Sequence, residues 1–435
     1  MELREFIEKL FQRAAEKGLT ECEVYYEAGA SFSASIFKGE LTDYNVSDAQ
    51  GLGFRALYRG KMGYASTQAF DEAAIEMLAD AARTNAELIG SEDQQFLHDG
   101  AGEYQKIELY NPAIEDLSAA EKIALARSIE DKTVAADARV EQIKGCAVFT
   151  ESQEVRIVNT KGLDAGYRAN VIGGYVTPIA RAGDEVNSAT KLFLTADPEN
   201  MGIDDMIADA VKEAVDGLVW EQPPSGAYRV VIHAEAMRDL LRVFSGIFSA
   251  DSAQRGMSLF NGREGAVVAA DCVTIVDDPH IAGSIGSAPF DGEGVPTYRK
   301  EVIKAGVLTT LMHNLRTAHK QGVRTTANAS RPSYAATIGV SPTNFFIEPG
   351  ADDLQALIGE LGDGLLIAGL QGLHAGANEI SGDFSLSAHG YRVMGGEVRG
   401  CVRQITVAGN FYQLLKDIER VGNDLAFGFP GGGRY

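Results

Sequence analysis

The chain has 435 residues, 45% of them hydrophobic, and its 39 basic and 61 acidic residues give a net charge of −22. That charge repels phosphate backbones, no basic cluster reverses it locally, and no apolar run is long enough to cross a bilayer; nucleic-acid binding and a membrane-spanning role are therefore disfavoured. Four cysteines (Cys22, Cys146, Cys272, Cys401) stand far apart without a CxxC pair, which predicts buried reduced thiols in a cytoplasmic protein rather than a disulfide framework or a zinc ribbon.

The first eighteen residues, MELREFIEKLFQRAAEKG, carry charges throughout and do not read as a signal peptide. Leu3, Phe6, Ile7, Leu10, Phe11 and Ala14 mark one face of a helix that Gly18 ends. ECEVYYEAG, FSASIFKGELTDYNV and GLGFRALYRGKMGYAS then alternate apolar and polar residues, with turn signals at Lys38-Gly39 and Arg59-Gly60. They predict an antiparallel meander. A helix is expected over 71–88, and Ser118 with Glu121 predicts a capping box at the head of SAAEKIALARSIEDK. Further strand-like segments follow, then an amphipathic helix over 204–220.

EQPPSG, 221–226, holds the only Pro-Pro pair of the chain. A residue before proline avoids the α region, so this segment reads as a linker. Because the chain exceeds the usual span of one core, two domains are expected, 1–222 and 223–435. The second is richer in glycine and short strands, including VVAADCVTIV and GLLIAGL, with helices expected over 235–248, 352–361 and 411–419. Strands and helices do not alternate as βαβ units. The fold class is therefore α+β: a mixed N-terminal domain with an antiparallel sheet, then a strand-rich C-terminal domain.

Common catalytic signatures are absent: no GxSxG elbow, no GxxxxGK[ST] loop and no GxGxxG fingerprint. None of the seven histidines is followed directly by glutamate. In RVVIHAEAMRDLLRVF, 229–244, His233 and Glu235 stand where a strand gives way to a helix, as zinc-peptidase ligands do. Two residues apart, they diverge by about 200° on a helix, and a third ligand is missing. The plainer reading places Glu235 against the helix dipole and gives His233 a local hydrogen bond. His313 and His319 lie in HNLRTAHKQG, which reads as a solvated turn of helix. His374 lies in GLQGLHAGANEISGDFS with Asn378, Glu379 and Asp383. This glycine-rich loop could bring its backbone close to a ligand, or equally form tight turns between strands.

Three C-terminal stretches, NASRPSYAATIGVSPTNFFIEPG, GLLIAGLQGLHAGANEISGDFSLSAHGYRVMGGEVRG and ITVAGNFYQLLKDIERVGND, resemble the TldD/TldE (PmbA) family, historically labelled modulators of DNA gyrase and similar to metallopeptidases. GELTDYNVSDAQGLGFRALYRGKMGYAST is similar to that family's opening domain, so the resemblance spans the chain. TldD-like members carry HExxxH on a helix and a late cysteine in a Gly-x-Cys-Gly-Lys setting. Here the corresponding helix, HAEAMRDLLRVF, has no second histidine, and Phe429, Pro430 and Gly431 stand where the cysteine would be wanted. His233 and Glu235 are thus the degenerate metal-site position.

The resemblance implies a TldE/PmbA-like subunit without catalytic or metal-binding residues of its own. Its partner would be a TldD-like catalytic subunit carrying zinc, and its substrates unfolded or leader peptides. It also implies an extensive oligomeric interface built mainly by the C-terminal domain. Members usually run on past GGGRYG into a last strand, so a chain ending at Tyr435 leaves an expected unpaired edge. The substrate-cleft candidates are His374, Asn378, Gly382, Asp383 and Phe384. The alternatives are a self-sufficient (homodimeric) metallopeptidase or hydrolase using His233, Glu235 or His374, and a non-enzymatic modulator of gyrase or of a toxin–antitoxin system.

Overall fold

The computed structural model describes residues 1–90, 93–426 and 428. It is a mixed α+β protein. Helix α1 (Leu3–Glu16) buries Phe6, Ile7, Leu10 and Ala14, the predicted face, and Gly18 takes a positive φ just beyond it. Strands β1 (Cys22–Phe37), β2 (Glu40–Tyr58) and β3 (Lys61–Thr67) form the predicted meander. Both of its turns are pairs of left-handed residues, Lys38-Gly39 and Arg59-Gly60, the backbone shape that matches the twist of a tight hairpin. Helix α2 (Glu72–Leu88) is capped by the Asp71 side chain.

A long connection leads to α3 (Pro112–Asp116) and α4 (Ala119–Ala136), whose head carries the Ser118–Glu121 capping box. Strands β4 (Val140–Asn159), β5 (Asp164–Ala182), β6 (Glu185–Ser188) and β7 (Lys191–Thr195) complete a seven-stranded antiparallel sheet in the order β3-β2-β1-β4-β5-β6, with β7 also on β5. Helix α5 (Ile203–Asp216) follows. It ends four residues before the predicted limit, because Trp220 and Glu221 form β8 and pair in parallel with Cys401 and Val402 of the C-terminal half. Tertiary pairing overrode helical periodicity there.

The C-terminal half opens with β9 (Val230–Ile232) and α6 (Ala234–Phe244), continued by a 3-10 turn, Ser245–Phe248, and α7 (Ala250–Gln254). Strands β10 (Ile275–Asp277), β11 (Lys300–Lys304) and β12 (Val307–Leu308) and helix α8 (Leu315–Gln321) come next. Of VVAADCVTIV, only the end is strand. The short strands β13 (Ala329–Ser330), β14 (Gly339–Val340) and β15 (Phe345–Ile347) precede α9 (Leu354–Leu361). Then β16 (Gly364–Gln371), α10 (Leu373–Gly376), β17 (Asp383–Met394), β18 (Glu397–Asn410) and α11 (Phe411–Asp417) close the half. One sheet runs β8-β18-β17-β16-β9 and another β12-β11-β10-β15. The main core lies between them and α6, around Phe244, Phe248, Val273 and Phe411. Each such buried side chain contributes about 1.5–3 kcal/mol.

Helices cover one face of the N-terminal sheet: α1 and α2 pack on Val24, Leu52 and Phe54, and α4 and α5 on Ile36, Val148 and Ile172. The other face meets the C-terminal half near the start of β1, where Tyr25 and Ile157 pack with Phe290 and Tyr334. A sealed charge cluster sits beside them. Arg55 donates to Glu23 at 2.8 Å and lies 3.5 Å from Glu293, while Arg331 reaches Glu23 at 2.5 Å. Asp291 accepts three backbone N–H bonds, from Glu293, Val295 and Ala329.

The HNLRTAHKQG segment differs from its expected solvated helix turn. His313, Asn314 and Thr317 are buried, and only its end is exposed. The reason is local polar closure: Asn314 caps α8, Thr317 reciprocates, and Thr326 binds the His313 N–H at 2.6 Å. Burial lowers the His313 pKa. Cys22, Cys146 and Cys401 are buried free thiols, pushed up to about 12, 12 and 11 chiefly by burial, while Cys272 is exposed.

Candidate functional site

The backbone leaves β9 in an extended conformation at His233 and enters α6 at the next residue. The His233 N–H is tied to the Ile367 carbonyl of β16, which fixes where the helix starts. Its ring then turns back on the chain, and Nδ1 accepts the Glu235 N–H at 3.4 Å. His233 is therefore the N-cap of α6, a role usually taken by Ser, Thr, Asp or Asn.

Glu235 points elsewhere. Its Oε2 lies 2.6 Å from the Lys191 ammonium at the start of β7, and Lys191 lies 3.0 Å from Glu213 on α5. The second oxygen of Glu213 meets His389 Nε2 of β17 at 2.9 Å. This chain of groups, Glu235–Lys191–Glu213–His389, crosses between the N-terminal and C-terminal halves. Burial opposes ionisation of Glu213, yet the His389 hydrogen bond and the Lys191 charge hold its carboxyl at about 2. Burial likewise opposes the Lys191 charge, and the two carboxylates overcome it and raise its pKa. Beside the chain, Tyr391 donates to Asp216 at 3.2 Å and Arg403 to the Gly217 carbonyl at 2.7 Å.

This position does not fit a zinc ion. A catalytic zinc takes about three protein ligands with free lone pairs. Here His233 Nδ1 accepts a backbone N–H and Glu235 Oε2 is paired with an ammonium, so the two side chains are oriented by protein partners and not towards a common ion. The rest of α6 supplies neither a second histidine nor a cysteine. Among the described residues, no three His, Cys, Asp or Glu side chains converge as a metal-ligand set. The 429–431 positions lie outside the described residues. Lys191, Glu213 and His389 were not among the sequence candidates. They are 22 to 198 residues apart, and no spacing rule links them.

The 372–384 segment forms one wall of an open groove of about 940 Å³, opposite Gly246, Ile247, Ser252 and Met257. Asn378, Asp383 and Phe384 line it; His374 and Gly382 do not. His374 is exposed on the single turn of α10. Gly382, at φ 83°, sits where a Cβ would strike the Tyr412 ring, so it serves the turn rather than a ligand. Phe384 is 8% exposed and packs in the core near Phe244, with ring centroids 6.2 Å apart. Asn378 folds the loop by accepting the Ile380 and Ser381 N–H groups at 3.0 and 3.1 Å. Asp383 takes hydrogen bonds from Asn410 and Ser381, both at 2.8 Å, which lower its pKa. The loop's polar side chains make the tight turns of one reading, and part of the segment faces the groove. Glu379, named beside His374 but not among the cleft candidates, also lines the groove.

PmbA/TldA metallopeptidase domain 1 matches residues 22–86, the central domain 112–218 and the C-terminal domain 225–434. The chain belongs to the PmbA/TldD metallopeptidase family. It is 26% identical over 432 residues to the metalloprotease PmbA homolog of Haemophilus influenzae, covering 98% of this chain and 92% of that one. It is also 26% identical over 425 residues to metalloprotease PmbA of Escherichia coli O157:H7, covering 93% and 87%. A crystal structure from Thermotoga maritima MSB8, named for modulation of a DNA gyrase, is 32% identical; it superposes with a TM-score of 0.90 over 97% of this chain and 95% of that one. No helix among the described residues is long and apolar enough to cross a membrane.

Proposed function

We propose that this chain is the non-catalytic, TldE/PmbA-like subunit of a heteromeric zinc metallopeptidase that degrades or processes unfolded peptides in the cytoplasm. The observation that carries this reading is Lys191: its ammonium fills the space between Glu235 and Glu213 where a cation-binding carboxylate would have to be free. Zinc and the activation of water then belong to a TldD-like partner bearing HExxxH. This chain contributes the wall that aligns an extended substrate, and its C-terminal domain, 223–435, carries the main contact with the partner. The groove beside 372–384 is the proposed peptide contact, through its backbone and the lining residues Asn378, Asp383 and Phe384, with His374 and Gly382 in the same segment outside the lining. With a net charge of −22, the chain has no means of gripping duplex DNA.

The test assays this chain and a HExxxH-bearing sister separately and together, with and without chelator. Alone, this chain is expected to hold no stoichiometric zinc by elemental analysis and to cleave nothing. The mixture should cleave unfolded peptides faster than the sister alone, and mutating the sister's motif should abolish this. Chelator-sensitive turnover by this chain alone, lost in Glu235→Gln, would sink the proposal.

A further inference from the structure

Strand β2 changes character half-way. Its first eleven residues, 40–50, are all exposed, and the following eight are buried or nearly so. On the inner side β1 pairs with it along its whole length. On the outer side β3 pairs only from Leu52 to Tyr58, and among the described residues no strand takes the outer side of 40–50. Such an edge leaves a row of backbone N–H and C=O groups free for another strand. Proteins commonly blunt these edges with lysine or proline. ELTDYNVSDAQ contains neither, and no arginine.

The edge is also held in place. At the hairpin tip both oxygens of the Glu130 carboxylate accept backbone N–H groups, from Lys38 and Gly39, each at 2.7 Å. Arg127 donates to the Gly39 carbonyl at 3.1 Å. Helix α4 thus fixes the hairpin, so a docking strand would not bear the entropy of ordering it.

The two faces of the edge differ in chemistry. Val46 stands opposite Phe32 and Tyr44 opposite Ala34; after the irregularity at Ser35/Ile36, Leu41 stands opposite Ile36. Leu41, Tyr44 and Val46 therefore share one face, and they are 39%, 50% and 61% exposed. The opposite face presents Asp43, Asn45 and Ser47, with Glu40 at the tip. Asp48 flanks the apolar stripe. The edge, residues 40–50, carries three acids and no base. A second copy would bring acids against acids, which is destabilising across a strand pair.

We propose that the outer edge of β2, residues 40–50, docks an extended peptide in which apolar residues alternate with Lys or Arg. Its backbone completes the sheet, its apolar side chains cover Leu41, Tyr44 and Val46, and its basic side chains face Asp43 and Glu40. This deepens the peptide-handling reading above and rests on it for the choice of a peptide as occupant.

The test is fluorescence anisotropy on the full chain with labelled peptides of about ten residues, long enough to span the edge. One alternates Val and Lys, one replaces Lys with Glu, and one places a proline at the centre. The Val/Lys peptide is expected to bind at least about tenfold more tightly than the other two. Val46→Lys, which blunts the edge, should weaken it about tenfold. Glu40→Gln with Asp43→Asn, which removes the facing charges and leaves the edge unblunted, should weaken it about threefold and flatten its salt dependence. Equal binding of the three peptides, or indifference to both variants, overturns the proposal. So does self-association in sedimentation that Val46→Lys removes, which would give the edge to a second copy. Failure of the partner assay with this peptide preference intact would count against the heteromeric reading alone; rate enhancement by this chain without the preference would count against the docking edge alone.

Discussion

Two of the charged seams that join the halves of this protein share an arithmetic. The Lys191 seam sets two carboxylates, Glu213 and Glu235, against one ammonium. The Arg55 seam sets three, Glu23, Asp291 and Glu293, against the two guanidiniums of Arg55 and Arg331. Each has one carboxylate in surplus, yet they titrate in opposite directions. In the first seam the side chains keep 16–35% of their surface, and Glu213 is held ionised at about 2. In the second the ion-paired side chains keep 0–4%, and Asp291 is 7% exposed. There burial and the neighbouring Glu293 raise Asp291 to about 7, and burial raises Glu293 itself. Access to water decides the outcome. A surplus charge that can be solvated stays, whereas one sealed between two halves binds a proton.

The hardest way to break this contrast is Arg55→Met. It leaves Glu23 and Glu293 buried with Arg331 as their remaining partner, and should cost about 3–5 kcal/mol in urea unfolding. The loss should be smaller at pH 5 than at pH 8, since protonation relieves the stranded carboxylates.

Asp291→Asn comes next. One amide oxygen cannot replace both carboxylate oxygens, so the Ala329 N–H loses its acceptor, at a cost of about 1–3 kcal/mol. The pH slope is the sharper readout. A carboxyl raised to about 7 in the folded state favours folding at low pH, and this contribution drains away as pH rises from the ordinary carboxylate range to about 7. Wild-type stability should carry that falling component, and the variant should lose it.

Lys191→Met should cost less than Arg55→Met, about 1–2 kcal/mol, because both freed carboxylates can recruit water. The first seam also has the opposite pH sign. With Glu213 depressed to about 2, its contribution is complete above the ordinary glutamate range and disappears as pH falls towards 2. Glu213→Gln should flatten that acid limb in a pH-resolved melting series. Glu235→Gln should have the smallest effect, under about 1 kcal/mol, because Glu235 is 35% exposed. A larger loss would mean that the Lys191 seam is drier than its exposure indicates.

Features set by neighbours in sequence were legible without coordinates. The face and end of α1, the turns at Lys38-Gly39 and Arg59-Gly60, and the Ser118–Glu121 capping box depend on residues a few positions apart. The local fate of His233 was readable too, because a helix start offers unpaired N–H groups within reach of its ring. Trp220 was misread as helix because its partner, Cys401, lies 181 residues away. Phe384 drew attention through its glycine-rich surroundings, but the aromatic core of the C-terminal half claims its ring.

By itself, then, the sequence determined what α6 lacks, since a missing histidine is missing in any fold, and it determined the excess of acid over base. Only the tertiary structure decided what stands in the vacant role. Lys191 reaches Glu235 because β7 and α6 come together across the junction of the halves, 44 residues apart in sequence. Likewise, the −22 charge says nothing of which acids are paired, solvated or sealed. A side chain's protonation depends on its distance from water and from opposite charge, and the fold sets both distances.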